Sequence, residues 1–112
     1  YQPSQGTVLT IESVSVSPRV TRPGDVVDLN LTYAVLNPSP NAETDVTEIR
    51  EITHRNELVG NPEVRVIRPD GTFTSSIPLR LPPNAARGEY KVRTIVQSRY
   101  AKDTREMHFT VN

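Results

Sequence analysis

Any chemistry in this chain would have to come from two histidines, one run of carboxylates, or aspartates scattered through turns. His54 and His108 are the only histidines. A metal centre needs several donors converging, and neither His-x-His nor His-Glu-x-x-His spacing occurs. Both histidines are expected at the surface. His108 falls on the outward parity of a closing strand whose Met107 and Phe109 face inward, and His54 sits beside a turn. Nucleophilic hydrolysis would need a serine or threonine next to a base, and no Gly-x-Ser-x-Gly elbow is present. Glu43, Asp45, Glu48 and Glu51 form a local acidic cluster. A glycosidase pair drawn from it would require a cleft between the carboxylates. Arg50 lies within the cluster and Arg55 follows it, so the expectation is a solvated strand face with cross-strand ion pairs. Asp25, Asp45, Asp70 and Asp103 are the right ligand type for calcium, but they lie singly in different turns. Asp70-Gly71 is explained by hairpin geometry. The sequence therefore assigns no catalytic, cofactor-binding or metal-binding residue and implies no cofactor; the chain reads as non-enzymatic.

The composition narrows the class further. The 112 residues suit one domain, and 35% apolar with 5% aromatic content implies a thin, aliphatic core. Thirteen basic residues balance thirteen acidic ones, so the basic excess that drives phosphate binding is missing. With no cysteine, disulfides, thiolate metal sites and cysteine nucleophiles are excluded. Apolar runs of a few residues are too short for a membrane-spanning helix. The opening Tyr1-Gln2-Pro3-Ser4-Gln5-Gly6 has neither Met nor a signal-peptide pattern. Residues 1–7 are expected to be a linker and 8–112 the domain, in a fragment or mature form of something larger.

These side chains must be positioned by strands. In "VVDLNLTYAVL", Val27, Leu29, Leu31, Tyr33 and Val35 point one way while Asp28, Asn30 and Thr32 point the other, the pattern of a half-buried antiparallel strand. Upstream, the apolar parity switches from Leu9 and Ile11 to Val14 and Val16, predicting a bulge near Glu12-Ser13. Thr44–Asn56 is ambiguous. Val46, Ile49 and Ile52 have helical spacing and Asp45 with Glu48 could form a capping box, yet the flanks are strands and Ile and Thr favour extended structure. A strand with imperfect alternation is expected, with a helical turn left open. "RNEL" would turn into a short strand, "EVRVIR" gives another, and Ile77, Leu79 and Leu81 share a face of the next. Tyr90, Val92, Thr94 and Val96 alternate with Lys91, Arg93 and Gln97 before the closing strand. Seven or eight short antiparallel strands with regular turn signals predict an all-β sandwich.

Three surface features accompany this pattern. Ile67 and Ile95 fall on outward parity and would mark either a contact surface or a covered rim. Lys91, Arg93, Arg99, Lys102 and Arg105 gather on the last two strands, diluted by Glu89, Asp103 and Glu106, and suit the protection of exposed strands. Asn30-Leu31-Thr32 is a formal glycosylation triplet with Asn30 facing out.

"ARGEYKV" places Gly-x-Tyr-x-Val at the entry to the penultimate strand. In immunoglobulin-like sandwiches a tyrosine at this corner bonds back to the upstream backbone, with a buried residue two positions on. Together with "VSPRVTRPGDVVDLNLTYAV", "VIRPDG", "LPPNAARGEYKV" and the terminal "HFTV", it makes the stretch from about Val8 to Val111 resemble bacterial immunoglobulin-like accessory domains of cell-envelope and surface proteins. A narrower similarity is to the immunoglobulin-like C-terminal part of glycine-zipper-containing Gram-negative envelope proteins, although no glycine zipper occurs in these residues. The resemblance implies a Greek-key sandwich serving as a non-catalytic structural or protein-interaction module outside the cytoplasm. Its partner would be another envelope or surface protein, or another domain of the parent chain. The alternative is a ligand-binding module, for carbohydrate or assisted by calcium. Sugar rings stack on exposed aromatics, and with Tyr33, Tyr90 and Phe109 assigned to the core only Tyr1 and Tyr100 remain for that role.

Overall fold

The computed structural model describes residues 6–39, 41–99 and 101–112. These form nine strands and no helix: β1 (Val8–Ser17), β2 (Val20–Thr21), β3 (Val26–Leu36), β4 (Thr44–His54), β5 (Glu57–Gly60), β6 (Glu63–Arg68), β7 (Gly71–Arg80), β8 (Gly88–Gln97) and β9 (Lys102–Val111). Thr44–His54 is extended throughout, so no helical turn interrupts β4. The count exceeds the seven or eight expected because the first strand is followed by a separate two-residue β2, which pairs with β9 in parallel. Two residues are too few to carry an alternation signal, and parallel pairing leaves no turn in the sequence.

One sheet has the order β1-β3-β7. The other runs β2-β9-β8-β4-β5, with β6 pairing the same side of β4 as β5. All pairs except β2–β9 are antiparallel. The register of β1 against β3 shifts between Ile11 and Ser13, where the apolar parity switches. Arg55 and Asn56 both have positive φ (52° and 66°), the backbone of the tight hairpin that joins β4 to β5. Of the linker expected over 1–7, Tyr1–Gln5 lie outside the described residues, and Thr7 Oγ1 is hydrogen-bonded to Thr44 Oγ1 at 3.0 Å.

The sheets face each other across two apolar clusters. One gathers Val16, Val27 and Leu29 from the smaller sheet with Ile52, Tyr90, Val92, Met107, Phe109 and Val111 from the larger. The second packs Leu9, Ile11, Leu31, Tyr33 and Val35 against Val46 and Val96. At the end of the first cluster, Tyr90 lies between His54 and Phe109, with ring centroids 4.4 and 5.0 Å apart. Its hydroxyl donates to the Ala86 carbonyl at 2.7 Å, closing the corner that the Gly-x-Tyr spacing predicts. Gly88 opens that corner at φ +125°, and a Cβ there would stand 3.2 Å from His54 Cε1. The glycine is needed both for the backbone and for room.

Gly88→Ala is therefore expected to cost roughly 1–3 kcal/mol through strain, and Tyr90→Phe about 1 kcal/mol through the lost hydrogen bond. Urea unfolding midpoints of the two variants, compared with the parent chain, check both.

Candidate functional site

The acidic run does not stay together. Glu43 and Asp45 are exposed, whereas Glu48 and Arg50 are both 0% exposed. This overturns the expected solvated face of ion pairs. On β4 the inward residues are Val46, Glu48, Arg50 and Ile52, so the two charges occupy consecutive inward positions between apolar anchors. The signal was present in the shared even parity of Val46 and Ile52. Ile49, on the opposite parity and only half buried, obscured it.

Between the sheets these two charges organise a polar network. Tyr33 Oη donates to Glu48 Oε2 at 2.6 Å, and Arg68 Nε donates to Tyr33 Oη at 3.1 Å. Arg68 Nη2 also reaches Glu48 Oε2 at 3.4 Å, and its guanidinium carbon stands 4.6 Å from the centre of the Phe73 ring. Arg50 Nη1 lies 3.8 Å from Glu48 Oε1, while Arg50 Nη2 donates to the carbonyl and hydroxyl of Ser75 at 3.1 and 3.3 Å. Arg50 thus ties β4 of the larger sheet to β7 of the smaller. Glu48 Oε1, Arg50 Nε and Nη1, and Thr94 Oγ1 are buried without hydrogen-bond partners among the described residues.

Burial shapes the electrostatics. It pushes the Tyr33 phenol up from 10.0 to about 12, reinforced by the hydrogen bond to Glu48, which favours the protonated form. Burial pulls the Arg50 guanidinium below its usual range, opposed by the charge of Glu48. For Arg68 burial acts in the same downward direction, but the hydrogen bonds and charges of Tyr33 and Glu48 outweigh it and the net shift is upward. The network is a structural clamp. Glu48 Oε2 is hydrogen-bonded to Tyr33 and Arg68, while Glu48 Oε1 and Arg50 Nη1 face each other at 3.8 Å.

The other candidates are dispersed. His54 stands beside the β4–β5 turn, half-buried against Tyr90, with Nδ1 3.1 Å from the Glu89 carbonyl. His108 is on the outer face, 3.8 Å from Glu89 Oε1. The β4–β8 register pairs His54 with Tyr90 on the inner face, whereas His108 pairs with outward Lys91, so the two imidazoles flank opposite sides of the sheet. Asp25 accepts from Thr21 Oγ1 and the Arg22 amide, Asp70 from the Asn37 amide, and Asp103 from the Ile11 amide. These aspartates brace the backbone at separate places, and among the described residues no group of three or more donors could hold a metal ion. The basic group is interrupted: Lys91 pairs with Glu106 at 3.1 Å and Arg105 reaches the Glu12 carbonyl. Asn30 is held in mid-strand between Ser15 and Ser76. Phe73 is half-buried beneath Arg68, and Tyr1 and Tyr100 lie outside the described residues.

The surface feature that the sequence did hint at is an edge. Ile67 is 62% exposed, and Leu58 and Val59 are also more than half exposed, all on β5 and β6 at the open side of the larger sheet. A shallow depression lined by Asp45, Val46, Thr47, Arg65, Val66 and Ile67 runs beside them. Ile95, by contrast, is 6% exposed and lies opposite Ile49 in the middle of the outer face, so only one of the two outward isoleucines marks a surface.

No family model and no curated protein matches the chain. Solved structures do. The chain is similar to part of the alkylpurine DNA glycosylase AlkC of Pseudomonas fluorescens, with a TM-score of 0.65 at 13% identity over 93% of this chain and 30% of that one. It is similar to part of a β-glucosidase of Listeria innocua, with a TM-score of 0.62 at 13% identity over 95% of this chain and 16% of that one. It is also similar to the sporulation control protein Spo0M of Bacillus subtilis, with a TM-score of 0.63 at 11% identity over 96% of this chain and 49% of that one. At such identities the likeness is one of fold. The chain spans less than half the length of each.

Two outcomes follow from the clamp. Glu48→Leu strands the Arg50 charge in the core and is expected to destabilise by about 3–5 kcal/mol. Adding Arg50→Met removes the stranded charge and should restore most of that loss in the same urea assay. The second concerns pH. The folded state holds the Tyr33 proton to higher pH than the unfolded chain, so this contribution is complete below about pH 10 and declines as pH rises toward 12. Tyr33→Phe should lack that component of the alkaline decline, read from unfolding midpoints across this range.

Proposed function

We propose that the chain is a non-catalytic, immunoglobulin-like interaction domain of an extracytoplasmic, envelope-associated protein. The Greek-key assignment is supported by the strand order, in which the connections from β3 to β4 and from β7 to β8 both cross between sheets. The hydrogen bond from Tyr90 to Ala86 at the entry to β8 supports it as well. The envelope setting rests on the sequence resemblance. The fold also recurs as part of longer chains as different as a DNA glycosylase, a β-glucosidase and a sporulation control protein, which suits a domain whose function is grafted onto its surface.

The observation that carries the interaction reading is the open edge at β5 and β6, with Leu58, Val59 and Ile67 each more than half exposed. Unpaired strand edges bind extended segments through main-chain hydrogen bonds, and apolar neighbours supply selectivity. A partner recognised in this way would add a strand to the larger sheet.

The test is capture from an envelope extract by the immobilised chain. A specific protein should be retained, and Leu58→Lys with Ile67→Lys should reduce its retention at least tenfold. Thr72→Lys, on the exposed face of the smaller sheet, should leave it unchanged. Retention of glycan alone, or equal retention by all variants, overturns the reading.

A further inference from the structure

The register of β6 determines which of its backbone groups are free. Its pairing with β4 runs Thr44 opposite Arg68 through Ile49 opposite Glu63, and the Arg50 amide donates to the Pro62 carbonyl one step further along. In an antiparallel ladder, alternate residues direct both their amide and their carbonyl to the same neighbour. The Arg50–Pro62 bond sets that phase, so Val64, Val66 and Arg68 bond toward β4. Glu63, Arg65 and Ile67 direct their amides and carbonyls away from it, on the side where no strand among the described residues pairs with β6. Their side chains stand on the outer face, with those of Arg65 and Glu63 exposed by 82% and 45%. The remaining charge on β6, Arg68, is held inward by Tyr33 and Glu48.

From this edge we infer that β6 pairs with β6 of a second copy of this chain, antiparallel and about a two-fold axis, with Glu63 of each copy opposite Arg65 of the other. This rests on the interaction-module reading above and names the partner. Only residues that direct their backbone outward can form the new hydrogen-bonded pairs, which limits the registers. Centring the axis on Arg65 sets two guanidinium groups against each other. Centring it on Val66 sets Arg65 opposite Ile67 and leaves Glu63 opposite Pro69, which has no amide hydrogen. Centring it on Val64 sets Glu63 opposite Arg65 twice, with Ile67 opposite Asn61 at either end.

Within one chain Arg65 Nε already lies 3.7 Å from Glu63 Oε1. The joint would therefore collect four charges of alternating sign, each next to its opposite. Charged residues on an edge ordinarily prevent pairing. Here the two signs alternate at the spacing of the ladder, so the edge is complementary to itself. A six-residue strand forms a small interface, which places the dimer in the transient class.

The experiment is sedimentation equilibrium on the 112-residue chain across a wide concentration range, with amide shifts followed by NMR. The parent chain is expected to self-associate, with concentration-dependent shifts centred on Glu63, Arg65 and Ile67. Glu63→Arg and Arg65→Glu each place like charges opposite one another twice, and each alone should weaken association about tenfold or more. The double variant Glu63→Arg with Arg65→Glu should recover it. An equimolar mixture of the two single variants should form a heterodimer, because one chain then carries two positive charges and the other two negative.

A chain that stays monomeric at millimolar concentration overturns the inference, as does association indifferent to these exchanges. If self-association fails while Ile67→Lys still abolishes capture of a foreign protein, the second copy is ruled out and the interaction module stands. If both fail, the module reading falls as well. Circular dichroism of each variant separates loss of association from loss of fold.

Discussion

A carboxylate and a guanidinium at consecutive inward positions of β4 are the constraint around which the sandwich is arranged. Neither Glu48 nor Arg50 can reach water, so each must find partners inside. Glu48 finds Tyr33 from the smaller sheet and Arg68 from β6, and Arg50 finds the Ser75 backbone on β7. Every one of these contacts beyond the pair itself runs to another strand, and those of Tyr33 and Ser75 cross the gap between sheets. Apolar packing would hold the sheets together with little regard to small slides. The directional bonds of the clamp select one alignment of β4 over β3 and β7. Buried ion pairs contribute little net stability, and specifying one arrangement is their best-attested use.

The clamp also divides the interior. On one side lies the cluster around Phe109 and Tyr90, closed by the Gly88 corner; on the other lies the cluster around Ile11, Leu31 and Val46. Arg68 connects this interior to the outside. It ends β6 with its guanidinium drawn inward over Phe73, leaving the outward face of that strand to Glu63, Arg65 and Ile67. The demands of the core thus remove one basic charge from the edge and leave a balanced pair there.

Much of the architecture was legible in local pattern. The alternation through Val27 to Val35, the parity switch at Glu12-Ser13 and the Gly-x-Tyr entry to β8 each reflect a constraint satisfied within a few residues. Other features had no local signature. β2 is too short to show alternation, and its parallel pairing with β9 joins positions about ninety residues apart, read from Val20 opposite Thr110. His54 looked like a turn residue, and it became part of an aromatic stack only because β8 brings Tyr90 opposite it.

By itself the sequence determined the strand content, the absence of thiol chemistry in these residues and the tyrosine corner, because periodicity, composition and turn chemistry are short-range properties. Tertiary structure alone decided that Glu48 and Arg50 are interior while Glu43 and Asp45 are not, and that Ile67 is exposed while Ile95 is covered. Parity tells which side of a strand a residue occupies. What lies over that side depends on strands distant in the chain, and here Tyr33, Arg68 and Ser75 had to arrive before two charges could be buried.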